Sequence, residues 1–370
     1  MPRRLAALAA VVIAAAVPAA DWPVFRGNTT QTGVADEALP DRLAVRWQAK
    51  TGADRATADV ESTAAIANGV AFVGAFDDHL HAFDLATGAE RWKAKTGAIK
   101  APVGFHEGSV YAGSVDGIFY RVDAATGRVV WKHDAQAEVT SGPNFTADGV
   151  LFGTQDETLH CLSRADGKPK WAYQINGGPV MGTPAVAAGR TFAAGCDSTL
   201  LVLDVATGKE QAAVSLDGQV GASAAVRDGR LYVGTMSNQV VAVDLAKADL
   251  AWTFEPARRK QPFFASPAVT DKLVLAGSRD KRVYALDRFT GKPVWDFATD
   301  GKVDSSPVVA GGRVYFGSQD GNLYVLELAT GKEVQRVKLD GPVSASPAVG
   351  GGCLVIGTER GTVYCLGAAK

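Results

Sequence analysis

Four side chains that could bind a metal ion or a cofactor occupy one position of a pattern that repeats about every 40 residues. They are Glu61, Lys100, Thr140 and Asp304, and each stands where a short strand-like stretch begins. Carboxylate and hydroxyl oxygens could contribute to a calcium site, and a lysine could pair with the carboxylates of a bound cofactor. Because the three possible oxygen donors, Glu61, Thr140 and Asp304, come from well-separated copies, we prefer to interpret the charged residues as a solvated rim of mixed charge around the ring axis.

The connection at residues 255–264, "EPARRKQPFF", is the most distinctive one between two copies. It carries three consecutive cations and two aromatic side chains: Arg258, Arg259, Lys260, Phe263 and Phe264. Arginine and aromatic residues are favoured at protein interfaces, so the segment predicts a partner-binding surface. The alternative is a solvated turn with Phe263 or Phe264 folded inwards.

The histidines give no sign of a metal or catalytic site. His81 shares its repeat position with bulky residues such as Tyr284, so we expect His81 and His160 to be packed side chains. No Ser-His-Asp arrangement and no glycine-rich phosphate loop is indicated. We therefore predict no catalytic residue.

The four cysteines also lack the paired C-x-x-C spacing of a zinc site. They are Cys161, Cys196, Cys353 and Cys365. Cys353 and Cys365 lie on neighbouring strands of one predicted hairpin. They could form a disulfide in an exported protein or remain small core residues.

The composition favours a large, well-packed β structure. The chain has 370 residues, of which 47% are hydrophobic, and 41 glycines against 21% charged residues indicate many tight turns. The formal net charge of −1 gives no long-range attraction to nucleic acid or to an anionic membrane. We expect a monomer that binds no nucleic acid.

Residues 1–20 are predicted to be a signal peptide. A basic start is followed by an apolar run at 5–17 and by small residues suited to cleavage after Ala19 or Ala20. We find no later membrane span and no cysteine near the cut that could carry a lipid. The next segment, 21–42, is a leader that we expect to pack across the ring through Trp22 and Phe25.

The rest of the chain, 43–370, is predicted to be a single propeller. A glycine after the second strand of each unit recurs eight times, at Gly74, Gly113, Gly153, Gly195, Gly234, Gly277, Gly317 and Gly357. An "ATG"-like turn follows the third strand, and a tryptophan usually follows four residues later. Four short strands in each unit of about 40 residues predict an all-β fold, an eight-bladed propeller of antiparallel blades.

The ring is predicted to close with both ends of the chain. The eighth unit stops at Gly367 after its third strand, whereas residues 43–50 read as a fourth strand with Trp47. Placing this N-terminal strand on the outside of blade 8 removes a free sheet edge. Three positions depart from the pattern: "AKADL" in unit five, Ala212 in unit four and Gln335 in unit seven.

The segments "LATGAERW", "AATGRVVW" and "FTGKPVW" resemble the tryptophan-docking motif of pyrroloquinoline-quinone (PQQ) repeat propellers. This resemblance covers residues 43–367. It implies either a quinoprotein dehydrogenase, with PQQ and Ca²⁺ at the ring axis, or a cofactor-free scaffold such as the outer-membrane assembly factor BamB. Glu61 in "VESTAAI" is similar to the glutamate that opens the first blade of the dehydrogenases, which would make Glu61, Lys100, Thr140 and Asp304 cofactor-binding residues.

Other features typical of quinoprotein dehydrogenases are missing. No two cysteines are adjacent. No tryptophan falls in the axial column, the repeat position held by Glu61, Lys100, Thr140, Met181, Gly221, Phe264, Asp304 and Ser344. We therefore expect no cofactor and a non-catalytic scaffold in the periplasm or cell envelope, whose partners are envelope proteins. The alternative is a small PQQ-dependent dehydrogenase that oxidises alcohols or sugars.

Overall fold

The computed structural model describes residues 21–52, 59–175, 177–194, 198–257 and 260–369. The predicted signal peptide at 1–20 lies outside these residues. The described residues form thirty-two strands and no helix, and the strands make eight separate four-stranded antiparallel sheets. The prediction of an eight-bladed propeller is confirmed.

The first four blades follow one another along the chain. Blade 1 is β2 (Ala65–Ala67), β3 (Val70–Gly74), β4 (His79–Asp84) and β5 (Glu90–Lys95). Blade 2 is β6 (Gly104–His106), β7 (Ser109–Gly113), β8 (Ile118–Asp123) and β9 (Val129–Asp134). Blade 3 is β10 (Asn144–Phe145), β11 (Gly149–Gly153), β12 (Thr158–Ser163) and β13 (Pro169–Gln174). Blade 4 is β14 (Ala185–Ala187), β15 (Arg190–Ala194), β16 (Thr199–Asp204) and β17 (Glu210–Ser215).

The remaining blades complete the ring. Blade 5 is β18 (Ala225–Arg227), β19 (Arg230–Gly234), β20 (Val240–Asp244) and β21 (Asp249–Phe254). Blade 6 is β22 (Ala268–Val269), β23 (Leu273–Ser278), β24 (Arg282–Asp287) and β25 (Pro293–Ala298). Blade 7 is β26 (Val308–Ala310), β27 (Arg313–Gly317), β28 (Asn322–Glu327) and β29 (Glu333–Lys338). Blade 8 is β30 (Ala348–Gly350), β31 (Cys353–Gly357), β32 (Thr362–Gly367) and the N-terminal β1 (Ala44–Lys50).

The N-terminal strand closes the ring as predicted. β1 pairs antiparallel with β32, and Trp47 stands opposite Cys365. The Trp47 indole N–H donates to the carbonyl of Leu85 in blade 1, over 2.9 Å. The two ends of the chain therefore share one sheet, and that sheet is fastened to the first complete blade.

Each docked tryptophan lies on a glycine of the next blade. The ring of Trp92 approaches to 2.8 Å of the position that a Cβ on Gly127 would take, and its indole N–H donates to the Ala124 carbonyl over 2.9 Å. Gly127 also has a positive φ of 73°, which glycine adopts at little cost. Equivalent pairs are Trp47–Gly88, Trp131–Gly167, Trp171–Gly208, Trp252–Gly291 and Trp295–Gly331.

The three departures from the sequence pattern follow from this pairing. Blade 4 carries Ala212 instead of tryptophan, and the facing turn of blade 5 is the one without the glycine, with Ala248 at a φ of 53°. Blade 7 carries Gln335, whose amide bonds both the N–H and the carbonyl of Leu43 just before β1. The tryptophan is therefore absent only where the facing glycine is also absent.

The core lies between neighbouring sheets, and the glycine column makes that packing possible. A Cβ on Gly74 would overlap Ile99, and one on Gly113 would overlap Val139. The partner is in each case the apolar residue just before the next blade's axial position. These glycines therefore let adjacent blades approach closely near the axis.

The leader contacts all eight blades in order at one end of the ring axis. Its first contact is an antiparallel bridge between Trp22 and Ile66 of blade 1. Backbone carbonyls of the leader then accept N–H groups from the inner strands, including Pro23 from Phe105, Thr29 from Val186, Thr30 from Val226, Thr32 from Val269 and Gly33 from Val309. The Asn144 amide also donates to Thr29, and the Glu37 carboxylate reaches the Gly352 N–H of blade 8. Trp22 and Phe25 are buried.

Candidate functional site

The axial residues open into a cavity of about 150 Å³ on the ring axis. Phe25 of the leader forms part of its wall. Five residues of the axial column also line it: Glu61, Met181, Gly221, Phe264 and Asp304. The cavity thus combines two carboxylates with apolar groups.

The charged residues of the predicted cofactor site are tied to local partners. The Lys100 ammonium lies 3.7 Å from the Glu61 carboxylate. Asp304 accepts a hydrogen bond of 2.8 Å from Arg279, whose guanidinium also lies 3.9 Å above the centre of the Phe264 ring. Glu61 and Asp304 are therefore each paired with a cation.

The other predicted oxygen ligand, Thr140, does not line the cavity. Its hydroxyl donates to the carbonyl of Val180 over 2.8 Å. Among the four predicted residues, the structure brings only Glu61 and Asp304 into the cavity wall, with Lys100 beside Glu61.

The surroundings of Glu61 disfavour the charged form of its side chain. Burial raises its pKa above the usual value, the Lys100 ammonium lowers it, and the nearby carboxylates of Glu359 and Asp59 raise it again. The net result is a raised pKa. Burial is the largest of these causes.

A belt of hydroxyl groups surrounds the axis two residues beyond the axial column. In blades 3 to 8 the backbone N–H at this position donates to the hydroxyl of the next blade, for example Thr183 to Ser223 over 2.8 Å and Ser266 to Ser306 over 2.9 Å. The belt is formed by Thr183, Ser223, Ser266, Ser306, Ser346 and Thr63. It is interrupted at Pro102 and Gly142. Sequence reasoning did not identify this belt, although the repeated serine of "ASPAV" and "SSPVV" was its signal.

These residues do not fit a calcium–quinone site. Calcium takes six to eight oxygen ligands, but both cavity carboxylates already face a cation. Within the residues that the structure describes, no group of three His, Cys, Asp or Glu side chains could hold a metal ion. Ligand pockets generally measure about 300–1,000 Å³, which exceeds the volume of this cavity.

The predicted partner-binding segment is only partly described. Arg258 and Arg259 lie outside the described residues. The Lys260 ammonium is 2.5 Å from the Glu255 carboxylate. Phe263 is 0% exposed and belongs to the core between blades 5 and 6, so its side chain has no surface to offer a partner. Phe264 faces the axis.

Beside this segment lies a groove of about 900 Å³ between blades 5 and 6. Phe254 and Tyr284 supply apolar surface, and Glu255, Asp280 and Arg282 supply charge. Tyr284 donates to Asp280 over 2.5 Å. The groove therefore has a shaped, amphipathic wall large enough for a few side chains of another protein.

The two histidines in third strands, His81 and His160, are packed, as their repeat position indicated. Their pKa values are shifted in opposite directions. His81 lies between two carboxylates, 3.1 Å from Asp77 and 2.7 Å from Glu90. Burial lowers its pKa, but these hydrogen bonds more than compensate, so the pKa is raised. His160 stacks on Phe152 at 4.9 Å between ring centres, and burial lowers its pKa to about 4.

His160 is expected to make the protein less stable in acid. Between about pH 6.5 and 4 the unfolded chain binds a proton at His160 that the folded protein does not, so stability falls as the pH falls. His160→Tyr should remove this loss, which amounts to at most about 2 kcal/mol at pH 5. Urea unfolding at pH 7.5 and 5.0 measures it.

The control for this measurement is the other histidine. Because the pKa of His81 is raised in the folded state, its stabilisation is present at low pH and is lost as the pH rises through that folded value. His81→Tyr should therefore change the pH slope in the opposite direction. Equal slopes for the wild type and both variants would contradict the assignment.

Cys353 and Cys365 are buried free thiols in the structure. The Arg46 guanidinium donates to the Cys353 sulfur over 3.1 Å. A hydrogen bond from Cys365 and then this guanidinium lower the pKa of Cys353, whereas the same hydrogen bond and burial raise the pKa of Cys365. Cys161 is also buried and free, and Cys196 lies outside the described residues.

None of the described residues belongs to an apolar helix that could reach across a bilayer.

Comparison with known proteins connects this ring to one family. The sequence profile described as outer membrane protein assembly factor BamB matches residues 40–133, 115–252 and 197–334. BamB of Nitrosomonas eutropha is 31% identical over 147 residues, which are 38% of this chain and 36% of that protein. The aligned region thus spans about a third of that relative's length.

Two solved structures share the propeller. BamB from Moraxella catarrhalis superposes with a TM-score of 0.74 at 20% identity, covering 88% of this chain and 98% of that chain. Quinohemoprotein alcohol dehydrogenase from Comamonas testosteroni superposes with a TM-score of 0.81 at 15% identity, covering 95% and 81%. At these identities they support the shared fold only. The family profile, in contrast, spans most of the chain, and the chain therefore belongs to the family of the outer membrane protein assembly factor BamB.

Proposed function

We propose that the protein is an exported, non-catalytic scaffold that binds a component of the outer membrane protein assembly machinery. The observation that carries this proposal is the axial site. Its two carboxylates are each paired with a cation, in a cavity of about 150 Å³. Such a site offers little to a quinone cofactor, whereas the family match supports an assembly role.

The groove between blades 5 and 6 is the proposed partner site. It adjoins the segment that carries Lys260, and it combines exposed charge with the aromatic side chains of Phe254 and Tyr284. Interfaces favour such a mixture of aromatic and charged groups. A rigid sheet on each side keeps the groove in shape, which lowers the cost of ordering it on binding.

A small PQQ-dependent dehydrogenase remains the second candidate. It is favoured by the position of Glu61 and by the fold shared with the Comamonas dehydrogenase. Because the same fold carries unrelated functions, the two candidates must be separated by experiment.

Adding PQQ and Ca²⁺ to the purified protein is expected to give no saturable quinone absorbance and no dye-linked oxidation of alcohols or sugars. The reason is the small cavity and the pairing of its carboxylates. A quinoprotein dehydrogenase reconstituted in parallel is the positive control. Saturable binding with turnover, abolished by Glu61→Gln, would instead establish the dehydrogenase.

The scaffold proposal has its own test in the envelope of the source cell. Deleting the gene should lower the amounts of outer membrane β-barrel proteins, and the wild-type gene should restore them. The double variant Lys260→Glu/Arg282→Glu should lose about tenfold or more of the co-purified assembly partner, since an interface charge reversal costs more than about 1.4 kcal/mol. Lys168→Glu, an exposed lysine on blade 3, is the control. Full binding by the double variant would rule out the groove.

A further inference from the structure

The leader buries an arginine without a counter-ion. Arg26 is 0% exposed, and its Nη2 donates to the carbonyl of Pro307 over 2.5 Å. Its Nε and Nη1 have no partner among the described residues. No ion pair in the described part of the chain involves this guanidinium, and burial alone lowers its pKa, to about 9. The side chain is therefore a buried cation at neutral pH.

The backbone around Arg26 is shaped to enclose the guanidinium. Gly33 has a φ of 67°, and a Cβ there would overlap the Arg26 side chain. The Gly33 N–H donates to the Arg26 carbonyl over 3.0 Å, so residues 26–33 form a closed loop. The loop is held on the axis by the inner strands of several blades. The enclosure is therefore a built feature of the fold.

The same segment has a surplus of hydrogen-bond donors. The indole N–H of Trp22, 1% exposed, and the side-chain Nε2 of Gln31, also 1% exposed, have no partner among the described residues, where the only unpaired buried side-chain acceptor of this segment is Gln31 Oε1. A buried charge needs an opposite charge as well as hydrogen bonds. Water can supply the hydrogen bonds, but only an anion supplies both.

We propose that the leader binds a small inorganic anion of halide size through the guanidinium of Arg26, at the end of the axis that the leader closes. The anion accepts hydrogen bonds from Nε or Nη1 and neutralises the guanidinium. Because Arg26 is 0% exposed, the site excludes a large organic anion. Arg26 itself lines neither the axial cavity nor the groove between blades 5 and 6.

Bromide is the direct probe. Crystals of the wild-type protein grown in sodium bromide should show an anomalous bromine peak within hydrogen-bond distance of Arg26 Nε or Nη1. Peaks confined to the protein surface, with water or backbone carbonyls filling the shell of the guanidinium, would overturn the proposal.

Thermal unfolding gives an independent readout in solution. At equal ionic strength, the wild-type Tm should be about 2 °C higher in sodium chloride than in sodium gluconate, whose anion is too large for the site. Arg26→Met should lose this difference. Arg121→Met, which removes an arginine bonded to Ser109 and Arg164, should keep it. An equal Tm of the wild type in both salts would overturn the proposal, and so would a chloride effect that survives in Arg26→Met. If Arg26→Met does not fold, the bromide crystals decide.

Discussion

Gly127→Ala is expected to destabilise the protein by about 1–3 kcal/mol more than Gly108→Ala. The two glycines have nearly the same φ, 73° and 74°, but only Gly127 faces a tryptophan ring, at 2.8 Å from its Cβ position. Nothing lies within 4 Å of a Cβ at Gly108. The conformational strain of alanine, about 1–2 kcal/mol, is therefore common to both variants. The difference between their free energies of unfolding in urea measures the contact with Trp92.

A double-mutant cycle completes this test. In a Trp92→Ala background, Gly127→Ala should cost little more than Gly108→Ala, because the clashing ring is gone. The chain already contains this combination at one place, where Ala212 of blade 4 faces the glycine-free turn of blade 5. Additive costs for the two substitutions would mean that the tryptophan and the glycine do not act as a pair.

Trp47→Ala is expected to open the ring at its seam. Trp47 is 8% exposed, packs on Gly88 and donates to Leu85. Removing a buried tryptophan costs about 3–5 kcal/mol. Since β1 pairs only with β32 and, unlike the other outer strands, is not joined to its neighbour by a turn, part of this loss should appear as local release of the strand. Limited proteolysis should then cut near residues 43–50 in the variant before the rest of the ring unfolds.

Trp131→Ala is the matched control for this prediction. It removes an equivalent docked tryptophan, bonded to the Arg164 carbonyl over 3.0 Å, between two blades that are each built from one continuous stretch of chain. It should lower the Tm without exposing either terminus. Early cleavage at 43–50 in both variants would show that the seam has no special weakness.

Most of the fold could be predicted from the sequence because the sequence repeats. The strands, their number per blade and the closure through Trp47 were all predictable, because each rests on a side-chain type that recurs at a fixed interval. Phe263 could also have been placed correctly. It occupies the apolar position that is held elsewhere by residues such as Val303 and Val343, which pack on the preceding blade's glycine.

The path of the leader could not be predicted in the same way. Its contacts with the inner strands use the carbonyls of Thr29, Thr30, Thr32 and Gly33, and backbone atoms leave no pattern in a sequence. The axial site could be predicted only in part. The sequence identified Glu61 and Asp304, but not that Lys100 and Arg279 would neutralise them.

The path of the leader past all eight blades has a consequence for the order of folding. The leader is synthesised before the strands of the first blade, yet its contacts reach from blade 1 to blade 8, and the Glu37–Gly352 bond joins residues 315 positions apart. Contacts between such distant residues form late, because the intervening chain must first be ordered. The leader is therefore expected to settle last. An incomplete ring displays a free N-terminal segment to proteases and chaperones, whereas a complete ring conceals it.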